Sequence, residues 1–135
     1  EQAVATPSNI WHWASQLKSI DVAVVDIDSF ECIILEALLD GAAASGRQKP
    51  SLLVLEINSI VPPPFQFARG FSEAFRSRLG QLGTTSCSLS YAVRSFGARG
   101  YELLSFDYDA VFVRRDLLPI YMAARPALRF PQDEF

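Results

Sequence analysis

Four side chains that carry oxygen donors stand at or just past the ends of two apolar runs. They are Asp26 and Asp28 at the first run, and Glu56 and Asn58 at the second. In open α/β sheets ligands bind beyond the carboxyl ends of the strands, so we expect these side chains to converge at one edge. Hard oxygen ligands suit magnesium or calcium. The pattern makes all four candidate metal ligands, with Asp26 and Glu56 also candidate catalytic residues.

A structural role for the same acids stays open beside this one. Asp28 and Glu31 have the spacing of a capping box, with Asp in place of the usual Ser or Thr, so Asp28 can cap the helix that follows. Asp26 can accept backbone N–H groups at the same turn. Glu56 ends a strand and has no capping duty. The sequence does not decide between ligand and structural residue for Asp26 and Glu56.

The two apolar runs predict neighbouring parallel strands. Residues 22–27 form a β-branched run without alternation, which is typical of a strand covered on both faces in a parallel sheet. Residues 51–57 form a second unbroken apolar run. Between them, apolar side chains recur with helical period over residues 30–38, and Gly41 is the expected end of that helix. Strand, helix and strand therefore predict a right-handed βαβ unit.

Further elements are expected around this unit. Residues 8–17 indicate a short helix, and Ser88 can cap a helix that ends at Gly97. Residues 101–106 and 110–114 flank a short turn and predict an antiparallel hairpin. The predicted fold class is α/β: parallel strands closed by an antiparallel C-terminal hairpin, with helices on both faces.

Composition limits the class of protein. The chain has 135 residues, 50% of them hydrophobic and 20% charged, which predicts one folded domain. A net charge of -3 leaves no basic field for nucleic acid. No apolar run reaches the roughly 18 residues of a membrane span. We expect a soluble chain, and the sequence indicates no compartment. The start at Glu1, without an apolar signal region, suggests a processed product or part of something longer.

Two domain segments are predicted. Residues 1–116 contain the expected strands and helices. Residues 117–135 have three prolines and no clear period, so we interpret them as an extension or docking tail.

Other reactive or aromatic residues are given structural roles. Cys32 and Cys87 have no metal-ligand spacing and lie in apolar segments, so buried free thiols are favoured; a disulfide stays open, since it needs the two to meet in space. His12, the only histidine, stands between two tryptophans and has no catalytic partner at a recognisable spacing, which favours a helix-surface or core position. Core packing is favoured over an acceptor pocket for Phe65, Phe67 and Phe71.

Five ordered segments resemble FkbM-type class I methyltransferases, which use S-adenosylmethionine. Residues 24–31, Val-Val-Asp-Ile-Asp-Ser-Phe-Glu, are similar to the family's Lys-Ile-Asp-Val-Glu-Gly-x-Glu, with Val24 and Ser29 departing from it. The apolar run ending in Glu56 matches the next strand, and Ser86 stands where a later element has Gly. The last two segments, Gly-Tyr-Glu-Leu at 100–103 and Ala-Val-Phe-Val-Arg at 110–114, resemble the closing strands.

The resemblance covers the C-terminal half of the family's domain. The family holds its cofactor with a glycine loop after the first strand and an acidic residue after the second, and the seven glycines of this chain form no such loop. The resemblance therefore implies that this chain alone binds no cofactor, and that S-adenosylmethionine is bound if the missing half is supplied. The resemblance also implies that residues 22–27 correspond to a strand in the middle of the family's sheet. Without the missing strands, their edge needs to be covered by a protein partner or by a second copy of the chain.

Two functions follow as expectations. The favoured one is a noncatalytic methyltransferase-like subunit or fragment that serves as a structural and interaction module in a larger assembly. The alternative is part of an active S-adenosylmethionine-dependent O-methyltransferase whose cofactor half lies elsewhere, with Asp26 and Glu56 as the main polar contacts.

Overall fold

A computed structural model of the chain describes residues 5–72 and 85–124. These ranges form an α/β fold built on a four-stranded mixed sheet. The strands are β1 (Val22–Val25), β2 (Leu52–Glu56), β3 (Tyr101–Phe106) and β4 (Asp109–Arg114). The helices are α1 (Ile10–Ala14), α2 (Glu31–Ala44), α3 (Leu89–Ala98) and α4 (Leu118–Ala124), with a 3₁₀ turn at Arg115–Leu117.

The sheet has the strand order β1-β2-β4-β3. β1 and β2 are parallel and joined through α2, as the two apolar runs predict. β3 and β4 form the predicted antiparallel hairpin, and β4 also pairs antiparallel with β2. Among the described strands, β1 and β2 are therefore the one parallel pair.

The two faces of the sheet differ in burial. Strand register places Ala23, Leu53 and Phe112 in one row, and all three are buried in a core to which α2 and α3 contribute. Val24 lies in the neighbouring row, on the opposite face, and is 65% exposed. The expectation that β1 is covered on both faces is wrong for the described residues, because their core helices α2 and α3 pack on one face.

A close helix contact fixes α1 against α2. A β-carbon added at Gly41 would overlap sterically with Cγ of Trp11. Glycine therefore lets the Trp11 side chain pack directly on the α2 backbone. α2 continues past Gly41 to Ala44, beyond the predicted end, and α1 is shorter than the predicted residues 8–17.

Cys32 and Cys87 are joined by a disulfide, with their Cα atoms 6.1 Å apart. Both residues are buried, as predicted, but the favoured interpretation as free thiols is wrong. Their 55-residue separation gives no sign of proximity. Proximity arises because α2 and the segment leading into α3 pack side by side in the core.

The predicted cap of α3 is confirmed. Ser88 is the N-cap residue, and its Oγ accepts a hydrogen bond from the Tyr91 backbone N–H. Phe96 of α3 then contacts Phe112 edge to face, with ring centroids 5.1 Å apart. This contact joins the helix to the central strand β4.

The start of the predicted tail is helical. The 3₁₀ turn and α4 reach Ala124, although this segment showed no clear period in the sequence. The remainder of the tail lies outside the described residues. Within the described ranges, the helices are too short or too polar to cross a membrane.

Candidate functional site

Three acidic side chains meet at the carboxyl edge of β1 and β2. Val25 pairs with Leu55 in the parallel register, so the following residues, Asp26 and Glu56, extend side by side. Asp28 joins them from the turn after β1. One carboxylate oxygen from each of these three lies within 4.8 Å of the others. We call Asp26, Asp28 and Glu56 the acidic cluster.

The turn between β1 and α2 directs Asp28 away from helix capping. Asp28 has a φ of 54°, in the left-handed region that Asp tolerates better than most residues. The N-cap position of α2 is Phe30, where no side chain caps the helix. The prediction that Asp28 caps α2 is therefore wrong.

Glu31 organises this turn instead. Its Oε1 accepts backbone N–H bonds from Ser29 at 2.9 Å and from Ile27 at 3.2 Å. Glu31 is the first residue of α2, so its side chain ties the start of the helix back to the turn that precedes the N-cap residue, Phe30. These two N–H groups go to Glu31, and no hydrogen bond to the Asp26 carboxylate occurs among the described residues. The turn-acceptor interpretation of Asp26 is thus wrong there.

Two carboxylate oxygens, one of them in the acidic cluster, are buried without a hydrogen-bond donor among the described residues. Oε2 of Glu31 and Oε2 of Glu56 have no hydrogen-bond partner within the described ranges. Glu31 as a whole is 0% exposed. Burial of a charged oxygen without a partner is unfavourable, so within the described ranges the negative charge at this end of the sheet is not offset by hydrogen bonds to these two oxygens.

The electrostatics of Glu56 reflect that charge. Burial raises the pKa of Glu56 above its ordinary value, and the negative charges of Glu31, Asp28, Asp26 and Asp109 raise it further. Asp109 stands directly opposite Glu56 in the β2–β4 ladder, where like charges are destabilising. Glu56 therefore takes up a proton or a cation more readily than an isolated glutamate does.

Asn58 is engaged in the loop after β2. Its Nδ2 donates to the Thr85 carbonyl oxygen at 2.8 Å, and its Oδ1 accepts from the Ile60 N–H at 3.0 Å. Asn58, the predicted fourth ligand, thus uses both its amide nitrogen and its amide oxygen in hydrogen bonds to backbone groups. Its role in the described structure is to position the loop.

Ser86 links the end of β2 to the turn that precedes α2. Its Oγ donates to the Glu56 carbonyl oxygen at 2.7 Å, and its N–H donates to the Ser29 carbonyl oxygen at 2.8 Å. Its φ is 56°, a conformation that favours glycine. Sequence reasoning missed this positioning role, because it depends on which backbone segments meet at Ser86.

The aromatic candidates lie in different settings. Phe71 packs on Phe30 with ring centroids 5.2 Å apart, which fits the predicted core role. Phe65 is 66% exposed, so neither core packing nor a closed acceptor pocket describes it. His12 is exposed on α1, in agreement with the helix-surface prediction. Phe75, a further phenylalanine of the same segment, lies outside the described residues.

Comparisons of the chain with protein-family models, with curated proteins and with solved structures found no match.

Proposed function

We propose that this chain is an FkbM-like methyltransferase half-domain that acts as an interaction module, joining a larger assembly through the open edge of β1. The observation that carries this proposal is the position of β1. Among the described strands it is the edge of the sheet, paired with β2 alone. An edge strand presents unpaired backbone N–H and C=O groups to any chain that can pair with them.

The composition of β1 supports pairing. Natural sheets protect their edges with charged residues, proline or bulges inside the edge strand, and Val-Ala-Val-Val has none of these. Val22 is 49% exposed and Val24 is 65% exposed, so an apolar face adjoins the open edge. A strand added here would satisfy the backbone groups and cover part of that face.

A substitution on the apolar face of β1 tests this proposal. Val24→Lys places a charge on the exposed face without disturbing the buried row. Ile60→Lys is the matched control, since Ile60 is 69% exposed but lies in the loop after β2 and not in β1. Light scattering of the full chain, purified with any partner that accompanies it, measures the assembled mass. We expect Val24→Lys alone to reduce it. An unchanged mass for Val24→Lys, or a monomeric wild-type chain without a partner, contradicts the proposal.

A second function is favoured by the acidic cluster. Oxygen donors at adjacent strand ends could orient the hydroxyl of a methyl acceptor, with Asp26 and Glu56 as its polar contacts, and positioning would supply most of the catalysis. S-adenosylmethionine would then be held by residues that this chain does not supply.

Calorimetry separates the two functions. The full chain, with any accompanying partner, is titrated with S-adenosylmethionine and S-adenosylhomocysteine. The interaction module predicts no binding heat from a folded sample. Micromolar binding of both would favour the methyltransferase function, with the cofactor site completed by the partner or by a second copy.

A further inference from the structure

The acidic cluster brings three carboxylates together at the ends of β1 and β2, and strand formation alone does not require this. Asp26 and Asp28 are exposed, Glu56 is partly buried, and their oxygen atoms approach within 4.8 Å of one another. The charges that act on the Glu56 carboxyl within the described structure are all negative. Converging carboxylates repel one another, and among the described residues no positive charge that acts on Glu56 offsets this repulsion.

Glu31, which is not one of the three residues of the acidic cluster, carries a further buried carboxylate. Glu31 lies beneath the turn, is fully buried and keeps its Oε2 without a hydrogen-bond donor in the described residues. Its Oε1 is fixed by the N–H groups of Ser29 and Ile27, the neighbours of Asp28 and Asp26. Its negative charge acts on Glu56 more strongly than that of Asp28 or Asp26. The buried carboxylate of Glu31 therefore adds negative charge close to Glu56.

We infer that Asp26, Asp28 and Glu56 bind a hard divalent cation, Ca²⁺ in preference to Mg²⁺, with the buried Glu31 carboxylate behind them. Calcium accepts six to eight oxygen ligands at about 2.3–2.6 Å, in flexible geometry. One such ion bridges oxygens separated by up to roughly twice that distance. Magnesium usually takes only one or two carboxylates and keeps its waters.

The chemistry of the turn fits this ligand. The left-handed conformation at Asp28 lets two aspartates separated by one residue reach the same point as Glu56. A bound cation would offset the repulsion between Glu56 and the neighbouring carboxylates and provide a counter-charge for Glu31. The cation site is independent of any partner that covers β1, and no reaction is assigned to the bound ion.

The test is calorimetric titration of the full chain, stripped with a chelator, with Ca²⁺ and separately with Mg²⁺ up to about 5 mM, the range of weak protein calcium sites. We expect one Ca²⁺ per chain and weaker Mg²⁺ binding. Asp26→Asn and Glu56→Gln should each raise the Kd for Ca²⁺ by about tenfold or more, since affinity follows the number of ligand charges.

Asp21→Asn is the matched control, because Asp21 is exposed at the opposite end of β1 and carries the same charge. It should bind Ca²⁺ like the wild type. Equal weakening by Asp21→Asn and Asp26→Asn would show only general electrostatic attraction and overturn the inference. Absence of Ca²⁺ binding by the folded wild-type chain would overturn it as well.

Thermal unfolding gives a readout that remains if one variant folds poorly. A ligand that binds only the native state raises Tm, so Ca²⁺ should raise the Tm of the wild type and of Asp21→Asn. Asp28→Asn, altered at an exposed ligand, should lose most of this shift. An identical shift in Asp28→Asn would contradict the assigned ligands.

Discussion

Cys87, bonded to Cys32 through the disulfide, also accepts the Asn58 backbone N–H at its carbonyl oxygen, at 2.9 Å. The first turn of α2, the loop after β2 and the segment leading into α3 therefore meet at Cys87. Ser86, the preceding residue, bonds to the backbone of Glu56 and Ser29. The covalent link thus lies directly behind the backbone that carries the acidic cluster.

Reduction of this disulfide should destabilise the chain by about 2–4 kcal/mol, because it removes a cross-link between residues separated by 55 positions. Urea unfolding with and without reductant measures the free energy of unfolding. The Cys32→Ser, Cys87→Ser double variant is the control, and reductant should leave it unchanged. Equal stability of the oxidised and fully reduced wild type would contradict the assignment.

Removing the Glu31 carboxylate should loosen the turn after β1. Glu31→Ala leaves the N–H groups of Ser29 and Ile27 without their acceptor, which costs about 1–3 kcal/mol. Glu31→Gln keeps an acceptor oxygen and removes the buried charge, so it should be the milder change. The measurement is urea unfolding of both variants, and a Gln variant less stable than the Ala variant would refute this account of the turn.

Ser86 combines an unfavourable backbone conformation with a useful hydroxyl. Ser86→Ala should cost about 1 kcal/mol through loss of the hydrogen bond to the Glu56 carbonyl oxygen. Ser86→Gly loses the same bond but accommodates a φ of 56° without the β-carbon penalty, about 1 kcal/mol or more. Chemical denaturation should therefore rank Gly above Ala. The reverse order would mean that the conformation is not left-handed.

The Asp40–Arg99 ion pair should make a small, pH-dependent contribution. The Arg99 guanidinium donates two hydrogen bonds, at 2.8 and 2.9 Å, and thereby lowers the pKa of Asp40. A lowered carboxyl pKa stabilises the fold above the unfolded-state value of about 3.9, and this contribution disappears as the pH falls through the folded-state value. Because the Asp40 side chain is 61% exposed, we expect less than about 1 kcal/mol.

Comparison of Asp40→Asn with the wild type measures this contribution. The wild type should be the more stable protein near neutral pH, and the difference should shrink toward zero as the pH falls through the lowered pKa of Asp40. A difference that is constant across this range would show that the pair is not the cause.

The local elements were predictable because their signals are local. Apolar runs and periodicity predicted β1, α2 and β2, and Ser88 as the cap of α3 is confirmed by its hydrogen bond to Tyr91. The disulfide was not predictable, since it requires α2 and the segment leading into α3 to lie side by side. The exposure of Val24 was missed for the same reason: an apolar run reports the residues of a strand, but not whether another layer covers them.

The site was predictable in part. Strand order and the carboxyl-end rule were enough to bring Asp26 and Glu56 together. The roles of Glu31 and Asn58 depend on backbone groups at one turn and one loop, whose hydrogen bonds the residue types alone do not specify.

The most direct test of the proposed interaction module is hydrogen exchange at residues 22–25 in the full chain, measured with any accompanying partner and over a range of concentrations. Exchange reports whether the outward amides of β1 are hydrogen-bonded. The account predicts that these amides become protected on assembly, and that Val24→Lys removes this protection while Ile60→Lys does not. Fast exchange at residues 22–25 under every condition, in an otherwise protected sheet, would contradict the claim that β1 is an edge for assembly.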